Sequence, residues 1–452
     1  MDAQTLTTYP IPSLIRQLAI PASLGMIFNT LYNVVDTYYA GLISTEALAA
    51  LSSSSFLFFF IIGLAYGGTT ALSALIGHAY GRRHFVYAAL LSKKGVALVM
   101  ILGFLLGALG YFNLAFLLDL IGTETAYKSL ATSYMRIILL GTVFFFANFA
   151  LNSVLVATGD TKSYRNTLIF GFFANLVLNP LFIYGLAFVP AMGIGGIAFS
   201  TVLIQILSAV YLLLKVLKTG LFDFTCKHHF YPHWRMYKQF FAQATPPGLN
   251  MLMISLGSLI ALHFVTTYGY KAVAGYGIGY RVEQLMLLPA LGISSATLSL
   301  VSNNMGAGKL LRVKEILISA LKYGYTIALL GMLIMLSFST WIVSQFDNDA
   351  DVIFFGSSYI HVMLFLFCGY VTHFVCVSTL QGIKQPAMIF YIGLSRQLLA
   401  PTTVYLLLVT YLKLSFIWMW IGLGVIVYSS ALFLLFYTLK KVNHLLHVKG
   451  IQ

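Results

Sequence analysis

Of the chain's 12 acidic residues, only Asp36 and Glu283 fall well inside long apolar stretches. A carboxylate surrounded by hydrocarbon is expensive unless it is solvated or paired, so such a residue is functional by default. Asp36 follows Arg16 by 20 residues, about 30 Å along a helix, which sets it toward the far end of its stretch. The structural alternative is a helix-end aspartate that reaches the interface, but residues 37–42 continue the stretch beyond it. Asn175 and Asn179 stand four residues apart, on one helical face. Pro180 follows and frees a backbone carbonyl one turn earlier. Two amides and a loose carbonyl suit a hard cation or a proton relay. They equally suit hydrogen bonds between helices. Thr201 falls at a similar depth, so Asp36, Asn179 and Thr201 are placed to converge.

A second set lies further along. Arg281 and Glu283 share one stretch, and Arg396 lies in another. Glu283 is 12 residues from Lys271 and Arg396 is 12 from Lys384, so both sit about 18 Å in, near mid-depth. A buried Glu283–Arg396 pair is one reading, and a role in substrate binding or proton coupling is the other. Arg136 reads as structural. His263, His361 and His373 could titrate near neutral pH, but single intramembrane histidines usually serve as hydrogen-bonded core.

These residues sit on an all-α integral membrane scaffold. The chain of 452 residues is 60% hydrophobic and 8% charged, against about 25% charged for soluble domains. Twelve spans are expected near 14–42, 47–78, 95–117, 129–157, 166–188, 194–217, 240–267, 273–304, 317–345, 352–381, 386–411 and 414–438. The first 13 residues are polar without a basic cluster, so no cleavable signal is expected. The longest polar gap, 219–238, leaves no room for a soluble domain. Cys226, Cys368 and Cys376 form no disulfide or zinc pattern, and no metal or cofactor is expected. His228, His229 and His233 read as a solvated loop rather than a metal site.

The net charge of +14 is not a nucleic-acid footprint, because it is distributed by side. Alternate loops hold Arg82, Arg83, Lys162, Lys218, Lys309 and Lys440 with further basic residues, including Lys93 and Lys94, while the intervening loops hold only Lys128, Lys271 and Lys413. That positive-inside bias puts both termini in the cytoplasm. Asp119, Glu124, Asp347, Asp349 and Asp351 then fall outside.

The second six spans repeat the first six. TALSALIGHAYG at 70–81 matches SATLSLVSNNMG at 295–306, an offset of 225. Gln17 and Pro21 match Gln243 and Pro247; Gly159 and Lys162 resemble Gly382 and Lys384; Pro180 matches Pro401. Six spans per half put both halves in one orientation, related by a pseudo-twofold axis along the membrane normal. The expected lobes are 1–218 and 239–452, joined by a basic linker at 219–238. Gly63 with Gly67, and Gly103 with Gly107, would permit close helix packing. Among 28 Tyr and 36 Phe some could line a cavity, but composition does not say which.

Several segments resemble the multidrug and toxic compound extrusion (MATE) family. IPASLGMIFNTLYNVVDTYYAG carries the family's proline, VD and glycine pattern, with Asp36 as its aspartate. LIGHAYGRRH, LVSNNMGAGK, ATGDTK, NLVLNPLFIYG, GIGGIAFSTV and SRQLLAP resemble further family segments in order. The resemblance covers nearly the whole chain and is nearer to the bacterial DinF-like branch. It implies two six-helix lobes around a cleft, and antiport of small organic, often cationic compounds against Na⁺ or H⁺. It also implies a first-lobe coupling site at Asp36, Asn175 and Thr201. Asn179 stands where that branch has a second aspartate, which favours H⁺ over Na⁺. NorM-like members carry acids in spans 7 and 10, where this chain has none. A monomer in the bacterial cytoplasmic membrane is expected, with the bilayer as its partner.

Three alternatives remain. A lipid or lipid-linked oligosaccharide flippase of the same superfamily would share much of this sequence character, although those usually have fourteen spans. A major facilitator transporter would show G-x-x-x-D-R-x-G-R-R, and GHAYGRRH lacks the aspartate. An intramembrane enzyme would need paired His/Asp or Ser/His residues at matching depth, and none is found. The expectation is therefore a transporter and not an enzyme.

Overall fold

The computed structural model describes residues 1–185, 190–222 and 234–448. The expected linker at 219–238 lies mostly outside these residues, as do Cys226, Lys227, His228, His229, His233 and Lys449. Among the described residues the chain is all-α. A short helix α1 (Ala3–Thr8) precedes α2 (Ile11–Ile43), α3 (Thr45–Gly81), α4 (Phe85–Phe112), α5 (Leu114–Leu120), α6 (Thr125–Ala157), α7 (Lys162–Tyr184) and α8 (Ile194–Leu217). The second half comprises α9 (Trp234–Thr266), α10 (Tyr270–Gly306), α11 (Leu310–Ser344) and α12 (Ala350–Gly382). Its eleventh span is interrupted: α13 (Ala387–Gly393), a π-helical stretch Leu394–Leu399, α14 (Ala400–Tyr405) and a second π-helical stretch Leu406–Tyr411. The last helix is α15 (Phe416–Val448).

Twelve of these spans are long and apolar enough to cross a membrane. They close their own backbone hydrogen bonds, as hydrocarbon requires. Leu329, Leu330, Leu333 and Ile334 of α11 are exposed, which is unfavourable in water and favourable against lipid. The helices extend past the apolar stretches. α4 begins at Phe85, not near residue 95, so Lys93 and Lys94 lie in the helix rather than in a loop. Lys93 is half-buried and Lys94 buried, so charged helical turns continue beyond the apolar slab with their stems packed. The stretch expected to end at 117 is split, with α5 separate from α4. The polar opening residues form α1, whose Leu6 is fully buried.

The chain divides into two compact units. One comprises Met1–Ala3 and Leu24–Gly248, the other Gln4–Ser23 and Leu249–Gln452. The units therefore differ from lobes 1–218 and 239–452 at the helix starts: the beginning of α2 packs in the second unit and that of α9 in the first. Glycine makes room for both. A Cβ on Gly67 of α3 would lie 2.5 Å from the carbonyl oxygen of Ala244 in α9. A Cβ on Gly292 of α10 would lie 2.7 Å from the carbonyl oxygen of Ala19 in α2. Gly67 and Gly292, like Ala19 and Ala244, are separated by the repeat offset of 225.

The same offset governs the turns. Asp160 N–H donates to the Leu155 carbonyl and Gln385 N–H to that of Leu380, both at 2.8 Å. Gly159 (φ 74°) thus corresponds to Lys384 (φ 61°), and the expected matches Gly159–Gly382 and Lys162–Lys384 are out of register. The helix-ending turn needs a positive φ, and a lysine has taken the glycine's place in the second copy.

The first unit is held by a mainly aliphatic core, with Leu72, Leu75 and Leu139 packed alongside aromatic Phe146. The second has an aromatic core in which Tyr276 stacks on Trp420 at 5.2 Å and Tyr359 meets Trp420 edge-on at 4.6 Å. Such pairs add about 0.5–1.5 kcal/mol each beyond burial.

Candidate functional site

In the first unit α2, α7 and α8 bring one carboxylate against a set of neutral polar groups. Asp36 is 6% exposed, and Asn175 and Asn179 are fully buried. The Nδ2 groups of Asn175 and Asn179 both donate to Asp36 Oδ1, at 2.8 and 2.9 Å. Asn179 Nδ2 also donates to Asn175 Oδ1 at 2.6 Å, across one helical turn. The second carboxylate oxygen, Oδ2, faces the Thr201 hydroxyl at 3.5 Å. Thr201 accepts from the Tyr32 hydroxyl at 2.9 Å, and Ser200 donates to Asn179 Oδ1. Asp36, Asn175, Asn179 and Thr201, singled out from the sequence, are all in this one network.

The spacing explains it. Asn175 and Asn179 point the same way because four residues bring a helix back to the same face. Tyr32 precedes Asp36 by four and shares its face of α2. Tyr32 and Ser200 were not among the expected residues. Tyr32 was legible from that spacing; Ser200, adjacent to Thr201, carried no distinguishing signal. The carbonyl freed by Pro180 is not a ligand here, because the Tyr39 hydroxyl donates to that oxygen, of Leu176, at 3.2 Å.

In the second unit Glu283 is 7% exposed and accepts from the Tyr359 hydroxyl. Tyr370 is a further polar neighbour. Of the two readings of Glu283 and Arg396, the direct pair is not formed here: among the described residues no ion pair within 4 Å joins them. The Arg396 guanidinium lies instead over the Tyr370 ring, 4.9 Å from its centre. Equal depth put both charges on one level, but of the tyrosines of α12 Tyr359 meets Glu283 and Tyr370 lies against Arg396. Arg281 is exposed and takes no part, since two residues along a helix turn a side chain to a different face. Arg136 is also exposed, and His361 is bonded to Ser339 at 2.7 Å. Tyr359 and Tyr370 were missed because 28 tyrosines offer no means of choosing among them.

The MatE family model matches residues 21–181 and 246–406, one match in each half. The chain belongs to the MatE family. Among its relatives, the probable multidrug resistance protein YpnP of Bacillus subtilis is 27% identical over 83% of both chains. An FAD transporter of Shewanella oneidensis is 26% identical over 80% of both. The probable multidrug resistance protein NorM of Thermotoga maritima is 26% identical over 93% of this chain and 91% of its own. Among solved structures, a MOP superfamily transporter from Pyrococcus furiosus superposes with a TM-score of 0.91 at 23% identity, covering 98% of both chains. An outward-facing MATE family transporter gives 0.90 at 23% identity, again over 98% of both. Membership makes this MatE chain a multi-pass membrane transporter and not an enzyme.

Proposed function

We propose that this MatE chain is a secondary exporter of organic compounds that works by alternating access, driven by inward proton flow through Asp36. One observation carries the reading: a single buried carboxylate whose partners are all neutral. Two amide N–H groups and a hydroxyl face Asp36, and no basic side chain among the described residues pairs with it. A charge in that position is costly, and taking up a proton removes it. A cation site needs several oxygens turned to one point. Here the amides turn N–H toward Asp36, while the amide oxygens of Asn175 and Asn179 are engaged by Asn179 and Ser200. That arrangement supports H⁺ over Na⁺, as does the single formal charge.

The relatives named as multidrug resistance proteins, and one as an FAD transporter, support amphipathic organic substrates. The basic residues at alternate helix ends support cytoplasmic termini, in a bacterial cytoplasmic membrane. A working monomer is part of this reading. The test is efflux of a fluorescent substrate from vesicles with pH and Na⁺ gradients imposed separately. Efflux under a pH gradient alone is expected. Efflux under a Na⁺ gradient alone, with the proton gradient collapsed by an ionophore, would refute the assignment.

A further inference from the structure

Arg396 lies in the π-helical stretch Leu394–Leu399 and is 4% exposed. Its guanidinium stays charged and offers five N–H donors and no acceptor. An intramembrane cation normally lies against a carboxylate. Among the described residues, no carboxylate comes within 4 Å of it. Its neighbour is the neutral Tyr370, whose ring centre lies at 4.9 Å and whose hydroxyl also interacts with it. Glu283, the one acid in reach, accepts from the Tyr359 hydroxyl and has Tyr370 as a further polar neighbour. His373, three residues along α12 from Tyr370 and 2% exposed, has an Nδ1 without a hydrogen-bond partner and lies within electrostatic reach of Arg396. A guanidinium and a phenol thus meet in the second unit, with an unpartnered imidazole nitrogen and a carboxylate within electrostatic reach and no ion pair joining the acid to the guanidinium.

We propose that Arg396 is the docking point for a carboxylate on the transported molecule, so that this carrier selects organic acids and zwitterions over simple cations. The guanidinium fork matches the two oxygens of a carboxylate. Tyr370 holds the fork flat from one side, and His373 supplies a further polar contact. Glu283, which accepts from the Tyr359 hydroxyl in this conformation, would have to give up that hydrogen bond to face the ammonium of a zwitterion. The site is closed around Arg396 in this conformation. The π-helical stretch gives the segment a way to change register locally, and such stretches recur at functional positions. The inference rests on the exporter reading above and concerns its substrate class, not its driving ion.

The test is equilibrium binding to the purified full chain in detergent, read by fluorescence anisotropy. Two dyes are compared: a rhodamine with a free benzoate, which is a zwitterion, and its ethyl ester, a simple cation. Wild type is expected to bind the free acid at least about tenfold more tightly than the ester. Arg396→Gln should bring the ratio close to one, and Arg396→Lys should keep its sign but weaken it by at least about threefold. Arg136→Gln, at an exposed arginine outside both networks, should retain the whole preference; the assay imposes no gradient, so a failure of the proton reading leaves this result standing. Equal binding of the two dyes, binding of neither, or a preference that survives Arg396→Gln would overturn the proposal. Should Arg396→Gln not fold, an unchanged ratio in Arg396→Lys overturns it equally.

Discussion

Asn179 donates one amide hydrogen to Asp36 and the other to Asn175, so one side chain holds the carboxylate and its neighbour in place together. Asp36→Asn keeps the volume and removes the charge. The variant should insert and fold, since an amide can still meet Thr201 and one asparagine. Its gradient-driven efflux should fall to the rate of empty vesicles. Normal efflux at normal expression would remove Asp36 from the coupling role.

Asn179→Asp places a second carboxylate beside the first. Two like charges at hydrogen-bonding distance repel unless a cation lies between them. Na⁺ should then stimulate efflux by the variant, where wild type is insensitive to it. The check is efflux at fixed pH across a series of Na⁺ concentrations, and no response in the variant contradicts the prediction.

Glu283 is coupled to Tyr359 and not directly to Arg396. Tyr359→Phe should lower stability by about 1–3 kcal/mol, because a buried acceptor loses its donor. A thermal-unfolding cycle with Glu283→Gln should give an interaction energy of about 0.5–3 kcal/mol for Glu283–Tyr359. The Glu283–Arg396 cycle should be closer to additive. Additivity in the first cycle would dismiss the hydrogen bond as a stabilising contact.

Gly67→Ala and Gly292→Ala should each cost about 1–3 kcal/mol, because the new methyl meets backbone that has to move. Gly277→Ala is the control. No heavy atom lies within 4 Å of its added Cβ, and it should gain up to about 1 kcal/mol from helix propensity. Equal melting temperatures for all three would refute the close-approach account.

The Lys271 ammonium contacts Asp349 and Asp351 at 2.8 and 2.7 Å. Its hydrogen bond holds the Asp349 carboxyl below the ordinary carboxylate range. A depressed acid contributes stability above its unfolded value and loses it as pH falls through its folded value. Lys271→Met should therefore flatten the acid side of the stability profile, run parallel to wild type near neutrality, and lose the alkaline decline that deprotonation of the raised Lys271 ammonium gives wild type. Added salt should shrink the difference, since all three residues are solvated.

Much of this was legible in the sequence, and the failures have physical causes. Apolar runs place spans because hydrocarbon admits only closed helices, yet they do not place helix ends, as Lys94 inside α4 shows. Depth counting and four-residue spacing brought Asp36, Asn175, Asn179 and Thr201 together. Depth alone failed for Glu283 and Arg396, because depth does not say which side chains stand between two residues at one level. The repeat was visible, but glycine aligned with glycine misled at Gly382. Conformation, not identity, is what the two copies keep there, and Lys384 adopts it. The π-helical stretches of the eleventh span left only Pro401 as a trace.

The exchanged helix starts bear on how this gene can be divided. A cut in the connection between the halves leaves residues 4–23 on a fragment that lacks the rest of their packing unit, and residues 234–248 likewise. Neither fragment would then be a self-sufficient folding piece, and Gly67 and Gly292 would each face an empty groove. Half-length products, whether from truncation, proteolysis or expression cloning, should be recovered only when both pieces are made together.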